Sequence, residues 1–357
     1  MSGDSEKSSP TLRQIAREAG VALSTASAAL RGRPGASKAT AEHVREVAER
    51  MGWRPNPLIS AWLSHVRQGQ PPADHGTLAY MVDYESGIDV LFNDPKRFIH
   101  RAYWKGARDR AKRRGFDLQV FDAHNLSGKR LSNIFRTRNI HGVILAPKGQ
   151  TTTVIDFDWS LFACAAIAYS TPQFAIHRAA NHHFHTVTLC LENLHRLGYR
   201  RIGLAIPEST NDRSSGMFFG GYLAGMYSLP NTTSPRPFLP QQCDYTRERF
   251  HQWLKKEEPD VVMGIHTSIP DWLAELGYKT PRDIGYIHLD LPPEEEKIPQ
   301  VEYAGIDQQS EKVGAAAVDL VTAQLDRNER GLPESVKVSL VESRWVDGPS
   351  VKKRKKK

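Results

Sequence analysis

Cysteine is scarce in this chain: Cys164, Cys190 and Cys243 are the only three in 357 residues, widely spaced and odd in number. They build neither a disulfide framework nor a C-x-x-C metal pair, a pattern that fits a reducing compartment. Long apolar runs are missing too. No stretch is long enough to span a bilayer, and the opening MSGDSEKSSP is polar, without the apolar segment of a signal peptide. A cytoplasmic location with no membrane partner is therefore expected. There is no Walker A loop, G-x-G-x-x-G or G-x-S-x-G, which removes the common nucleotide-binding and hydrolase readings. His182, His183 and His185 gather in NHHFH, but no Cys or second His pair joins them at zinc-like spacing, so no metal and no cofactor are expected. Acidic residues are in deficit: 40 Asp and Glu stand against 48 Lys and Arg, for a formal net charge of +8. That balance points to an anionic partner. Part of it comes from the terminal KKRKKK, read here as a solvated tail.

The chain is too long for one compact core. Residues 1–10 read as a disordered tail, 11–54 as a small helical domain and 55–76 as a short helix and linker. Residues 77–348 read as a large α/β core, and 349–357 as a basic disordered tail. In the helical domain, Thr11 and Gln14 make a capping box for a first helix with Leu12, Ile15, Ala16 and Ala19 on one stripe. Gly20 stops it. A second helix turns Ala26, Ala29 and Leu30 inward, and Ser37 caps a third that buries Ala41, Val44, Ala48 and Met51 before Gly52. Pro55 and Pro57 break that helix; Asn56 caps a short segment through LISAWL, and Gly69, Pro71 and Pro72 mark the linker. From Thr77 strands alternate with helices: TLAYMVDY, YWKGARDRAKRRGF, DLQVFDA, IHGVILAP, FACAAIAY, TVTLCLENLHRLGY, RIGLAIP and onward to IGYIHLD. That order predicts parallel sheets with helices on both faces, and about 270 residues of it favour two lobes.

Helix, glycine turn and helix within residues 11–30 make a helix-turn-helix layout, in which the second helix lies in the DNA major groove. Its side chains are small, so the backbone can approach the duplex closely. Ser24, Thr25 and Ser27 can donate to phosphates or base edges. Arg31 and Arg33 just beyond are placed for phosphate contacts.

The segment TLRQIAREAGVALSTASAALRGRPGASKATAEHVREVAERMGWRPN resembles the headpiece of the LacI/GalR family of bacterial repressors. Thr11, Leu12, Ile15, Ala16, Ala19, Gly20, Val21, Thr25, Ser27 and Leu30 match the family's opening pattern, and Ser37, Thr40, Val44, Met51, Pro55 and Asn56 match the remainder. The likeness continues more weakly through YWKGARDRAKRRGFDLQVFDA, IHGVILAP, LENLHRLGYRRIGLAI and GIDQQSEKVGAAAVDLVTAQLD to LVESRW. It implies a multidomain fold: an all-α helix-turn-helix headpiece, then a two-lobed α/β core like a periplasmic binding protein. It also implies a homodimer on double-stranded, pseudo-palindromic operator DNA, regulated by a small-molecule, carbohydrate-like effector. The DNA contacts it implies are Thr11, Leu23, Ser24, Thr25, Ser27, Ala28, Arg31 and Asn56, with Trp62 and Leu63 where the family's hinge helix wedges the minor groove. The chain departs from the family at Ala28, where Arg is frequent, and at Ala22, where Ser is usual.

For the effector, the resemblance and the strand ends facing a cleft point to Asp83, Tyr84, Trp104, Tyr169, Ser170, Arg213, His266, Asp290 and Gln308. Arg213 matches the family's effector-binding arginine, suited to hydroxyls or a carboxylate in fork geometry. Two landmarks have drifted: Asn181 stands where Asp is usual, and His266 with Thr267 replaces an Asn-Asp pair. The competing readings are a ligand-binding protein without specific DNA binding and an α/β enzyme. The intact headpiece speaks against the first; the second lacks a recognisable nucleophile or cofactor loop.

Overall fold

The computed structural model describes residues 12–30, 37–51, 76–85, 87–94, 97–147, 156–171, 175–292 and 303–354. Thr11, Arg31, Arg33, Asn56, Trp62 and Leu63, with the whole hinge segment, lie outside the described residues. The chain divides into two compact units, Met1–Ala73 and Asp74–Lys357.

The first unit is built on α1 (Leu12–Glu18), α2 (Leu23–Leu30) and α3 (Lys38–Arg50). Its core is made of small side chains: Ile15, Ala16, Ala19, Ala26, Ala29, Val44, Val47 and Ala48 are buried. Val21, Leu30, Ala41 and Met51 close it from the edges, partly buried. Alanine-lined contacts let three short helices come close enough to exclude water with few residues. Between α1 and α2 the chain turns at Gly20 with φ +63°, a conformation that costs other residues a Cβ clash. Ser37 caps α3, its Oγ accepting from the backbone N–H of Thr40 at 3.1 Å.

The second unit holds two sheets. The N-terminal lobe is a six-stranded parallel sheet, using β1 (Thr77–Val82), β2 (Asp117–Asp122), β3 (Gly142–Leu145), β4 (Ala163–Ile167), β5 (His177–Asn181) and β10 (Val338–Val341) in the order β10-β5-β4-β3-β1-β2. The C-terminal lobe has β6 (Ile202–Ala205), β7 (Val261–Gly264), β8 (Gly285–His288), β9 (Gly305–Asp307) and β11 (Arg344–Val346), in the order β11-β9-β8-β7-β6. One departure from the expected parallel pattern is β11, which runs antiparallel to β9. Central strands such as β1 are buried from Leu78 to Val82 because helices cover both faces.

The first lobe carries α4 (Asp89–Asn93), α5 (Phe98–Arg113), α6 (Gly128–Thr137) and α12 (Ser310–Asp326). The second carries α7 (His183–Leu197), α8 (Glu208–Arg213), α9 (Met217–Ser228), α10 (Arg247–Glu257) and α11 (Ser268–Glu275). The chain crosses between lobes three times: from β5 into α7, from β9 into α12, and from β10 into β11. In the first lobe α5 and α12 meet through reciprocal glycines. A Cβ at Gly314 would lie 1.9 Å from the carbonyl oxygen of Tyr103, and one at Gly106 would lie 1.8 Å from that of Glu311. Lys105–Glu311 and Arg110–Asp319 ion pairs, each 2.8 Å, flank the contact.

The expectation of a disordered tail from residue 349 does not hold for residues 349–354. Ser350 is buried, its Oγ accepting from the Ala304 N–H at 2.9 Å and donating to the Tyr286 carbonyl at 2.7 Å. The Arg354 guanidinium lies 4.7 Å from the centre of the Tyr199 ring. A charge-rich sequence hides this because its anchors are backbone groups, one small serine and an arginine that reads as a surface charge.

Candidate DNA-reading surface and effector cleft

On α2, Ala26 and Ala29 face the core, while Leu23 is 44% exposed and Ser24 is exposed beside it. Thr25, Ser27 and Ala28 are half-buried. Leu23, Ser24, Ser27 and Ala28 are spaced i, i+1, i+4 and i+5, so they share one face of the helix. That face presents hydroxyl donors and methyl groups without a long side chain. It can meet phosphates through Ser24 and Ser27 and thymine methyl groups through Leu23 and Ala28.

In the second unit, one cluster gathers around the start of α5. Tyr84 is buried, its ring stacked on His100 at 5.6 Å and its hydroxyl 3.2 Å from His100 Nδ1. The Arg97 guanidinium lies over the Tyr84 ring at 4.4 Å and donates to His100 Nδ1 at 3.1 Å. Burial pushes the Tyr84 hydroxyl up to about 12. Burial, with the charges of Arg97 and Arg213 adding, lowers His100 to about 4, so the ring is neutral near pH 7. Arg213, the last residue of α8, thus acts on His100 from the opposite lobe. It is exposed by surface area, yet protein surrounds it enough for burial to lower its own pKa.

A second cluster surrounds Asp290, just after β8. Asp290 is buried, and burial, with the charge of Asp307 adding, raises its carboxyl well above the usual range. Its charge in turn bears on Tyr103 of α5. The Tyr103 hydroxyl donates to Asn181 Oδ1 at 2.6 Å, and Asn181 Nδ2 donates to the Gln308 carbonyl at 2.8 Å. Gln308 Nε2 donates to the Leu289 carbonyl at 2.8 Å. Tyr103, Asn181 and Gln308 therefore tie the first lobe to two of the three crossovers. The third joins through the His182 N–H donating to the Val341 carbonyl at 2.9 Å and the Thr186–Ser343 hydroxyl pair at 2.6 Å. His266 lies on the same rim: its Nδ1 is 2.7 Å from Ser268 Oγ, and its ring stacks on Trp272. Its charge bears on His288, whose Nδ1 accepts from the Asp290 N–H at 3.2 Å.

Arg213 thus bears electrostatically on the His100 beside Tyr84, while Gln308 bonds the Leu289 carbonyl next to Asp290 and His266 bears on the His288 that accepts from the Asp290 N–H. The other expected residues sit elsewhere. Asp83 pairs with His124 at 3.1 Å. Trp104 meets Phe92 edge-on at 5.0 Å, with Arg108 over its ring at 4.6 Å. Tyr169 faces the Arg178 guanidinium at 5.4 Å, and Ser170 is buried beside it. Sequence reasoning missed Arg97, His100, Tyr103 and His288. The signal for the first three was the spacing in RFIHRAY, where positions 97, 100 and 103/104 recur on one helical face. The helix begins at Phe98, five residues before the Tyr103 start expected for it, and so includes that turn.

Among the described residues, no helix is long and apolar enough to cross a membrane. No three His, Cys, Asp or Glu converge there as a metal site.

Comparison with known proteins gives two family matches: the bacterial regulatory proteins of the lacI family over residues 11–56, and the periplasmic binding protein-like domain over residues 191–351. No curated protein sequence matches the chain. Among solved structures, the lac repressor dimer bound to operator and the anti-inducer ONPF aligns with TM-score 0.55 at 15% identity, covering 96% of this chain and 98% of that one. The transcriptional regulator CelR in complex with cellobiose aligns with TM-score 0.53 at 16% identity, covering 96% and 99%. A LacI family transcriptional regulator from Enterococcus faecium with bound ribose aligns with TM-score 0.54 at 16% identity, covering 78% and 100%. At these identities the likeness is one of fold. The two matched segments together span more than half of the 357 residues and fall on the helix-turn-helix unit and the two-lobed core. The chain thus joins a headpiece that matches the lacI family of bacterial regulatory proteins to a core that matches the periplasmic binding protein-like domain.

Proposed function

We propose that this protein is a cytoplasmic transcriptional repressor that reads a pseudo-palindromic operator as a homodimer and responds to a small, hydroxyl-rich effector. The observation that carries the reading is the exposed face of α2, where Leu23, Ser24, Ser27 and Ala28 form a low-relief surface on an alanine-packed headpiece. Such a surface gains little from solvent but suits close backbone approach to a major groove. Two-fold symmetry would place one headpiece on each half-site.

Supporting dimerisation, α9 presents Leu223 (46% exposed) and Tyr227 (94% exposed) on one face, with Phe184 of α7 exposed as well. Supporting an effector, Asp290 is buried at high electrostatic cost in a cleft region that both lobes build; a ligand hydroxyl donating to it would recover part of that cost. The hydrogen bonds among the three crossovers give the lobes a shared hinge. An effector that prefers one lobe arrangement shifts the population and thereby the DNA affinity.

Selection from randomised duplexes tests the DNA claim. An enriched pseudo-palindrome is expected, with affinity falling steeply as salt rises because bound phosphates release counterions. Replacing Ala28→Arg adds a base-reading fork and should change the preferred half-site. The absence of any enriched palindrome, or a flat salt response, would sink the reading.

A further inference from the structure

Helix α6 buries Leu131, Ser132 and Phe135 in the first lobe and leaves Lys129, Arg130, Asn133, Arg136 and Thr137 exposed, with Arg138 exposed just past its end. The helix carries no acidic residue. Lys129 and Arg130 stand in its first turn, where the positive end of the helix dipole favours acids and repels cations. Helix stability therefore does not account for them. Neither side chain makes an ion pair or a hydrogen bond among the described residues. Arg138 has no ion pair there either; its guanidinium lies 5.8 Å from the centre of the Phe121 ring on β2. Other arginines of the core are neutralised: Arg110 and Arg114 share Asp319, Arg247 pairs with Glu275, and Arg327 pairs with Glu329.

The basic side of α6 is also shaped. Arg130, Asn133, Ile134, Thr137 and Arg138 line an open groove of about 480 Å³. The two arginines are separated by about 12 Å along the helix axis, a span that suits a row of phosphates better than one small anion. Between them Asn133 Oδ1 accepts from Arg136 at 3.3 Å, which leaves the Asn133 amide N–H groups to donate. The chain enters the first sheet at Thr77, and Leu78 pairs with Gly142. The C-terminal end of α6, which feeds β3 through Arg138, therefore lies at the entry end of the sheet. Residues 52–76 join that end to the headpiece, so DNA held by the headpiece stays within tether reach of the groove, at high effective concentration.

We propose that the groove on α6 is a second DNA-contacting surface, in which Arg130 and Arg138 bind backbone phosphates of the duplex flanking the half-site. This rests on the DNA-reading role proposed above and adds a contact made by the core. Such contacts supply affinity without reading bases, and guanidinium groups match phosphate oxygens.

The test titrates the full chain, over a range of salt, against a long duplex of random sequence and against the selected operator with and without flanking duplex. Arg130→Gln with Arg138→Gln removes two phosphate contacts, so the slope of log affinity against log salt should become shallower by about 1.8. That change is expected on the random duplex and on the flanked operator, with severalfold weaker binding at low salt, while the bare operator keeps its wild-type affinity. Lys255→Gln with Lys256→Gln removes the same charge from exposed positions on α10 and should leave every slope as it is. Equal slopes in the wild type and the α6 variant, or the same change in both variants, would overturn the proposal. A selected palindrome with unchanged slopes removes the groove and keeps the operator reading. No palindrome, with the slope still lost on random duplex, removes the operator reading and keeps the groove.

Discussion

Gly314→Ala places one methyl group where α12 touches α5. The new Cβ would lie 1.9 Å from the Tyr103 carbonyl oxygen, 2.8 Å from its carbon and 3.0 Å from the Ala107 nitrogen. Carbon–oxygen contacts are comfortable at about 3.3 Å or more, so the helices must part by roughly 1.4 Å, measured against that limit. The obstacle is backbone, which no rotamer change can remove. Overpacking of this kind costs about 1–3 kcal/mol, while alanine returns up to about 1 kcal/mol of helix propensity. A net loss of about 1 kcal/mol predicts a fall in melting temperature of roughly 2–4 °C for a domain of this size. The shift also has a functional direction. Tyr103 bonds to Asn181 at the first crossover, and α12 follows directly on Gln308. Effector-induced stabilisation should therefore weaken, while the headpiece, which folds around its own core, keeps its helicity. Thermal melting followed by tryptophan fluorescence reads the effect, since five of the seven tryptophans, Trp104, Trp159, Trp253, Trp272 and Trp345, lie in the second unit. A variant as stable as wild type would refute the reciprocal glycine contact.

Further outcomes are expected. Ser37→Ala removes the N-cap of α3 and should lower headpiece stability by about 1 kcal/mol; a circular-dichroism melt of the helical signal checks this, and no change would mean that water replaces the cap without loss. Tyr227→Asp puts a charge on the exposed α9 face and should shift sedimentation toward monomer; an unchanged mass would place the dimer contact elsewhere. His100, His183 and His288 are each lowered by burial to about 4. Unfolded histidines take up protons first as pH falls, so these three contribute stability above about pH 6.5 that is lost on the way down to about pH 4. Asp290 acts in the opposite sense, because its raised pKa favours the fold as the carboxyl protonates. Urea midpoints at pH 7 and pH 5 should show the net loss, and His183→Gln should shrink it. A midpoint that rises on acidification would contradict the histidine account.

Much of the architecture could be read before any coordinates. The headpiece helices follow from the 3.6-residue spacing of Ile15, Ala16, Ala19, Ala26, Ala29, Val44 and Ala48, and its turn follows from Gly20. The alternating α/β order of the core was equally legible, because runs such as TLAYMV and FACAAI are buried on both faces and therefore almost wholly apolar. Elements whose stability comes from partners were not legible. HRAAN of β5 carries no strand signal; its neighbours β4 and β10 fix it, with His177 Nδ1 accepting from the Lys337 N–H at 3.0 Å. Helix α6 in SGKRLSNIFRT went unread, although Ser127 caps it and Leu131 and Phe135 bury one side.

The cleft shows the same division. The family resemblance singled out Arg213, Asp290 and Gln308, and with it the strand ends where parallel sheets bind ligands pointed to Tyr84. Nothing local could pair Tyr84 with His100 or Tyr103 with Asn181, which meet only through the packing of α5 on the first sheet, and the charge of Asp290 bears on Tyr103 only after the chain has crossed between lobes. Periodicity is a property of neighbours in sequence, so the sequence by itself determined the headpiece helices, most strands of the core and the exposed face of α2. Electrostatics and hydrogen bonding depend on neighbours in space. The neutral, oriented His100, the costly carboxyl of Asp290 and the docking of residues 349–354 were therefore decided only by the tertiary structure.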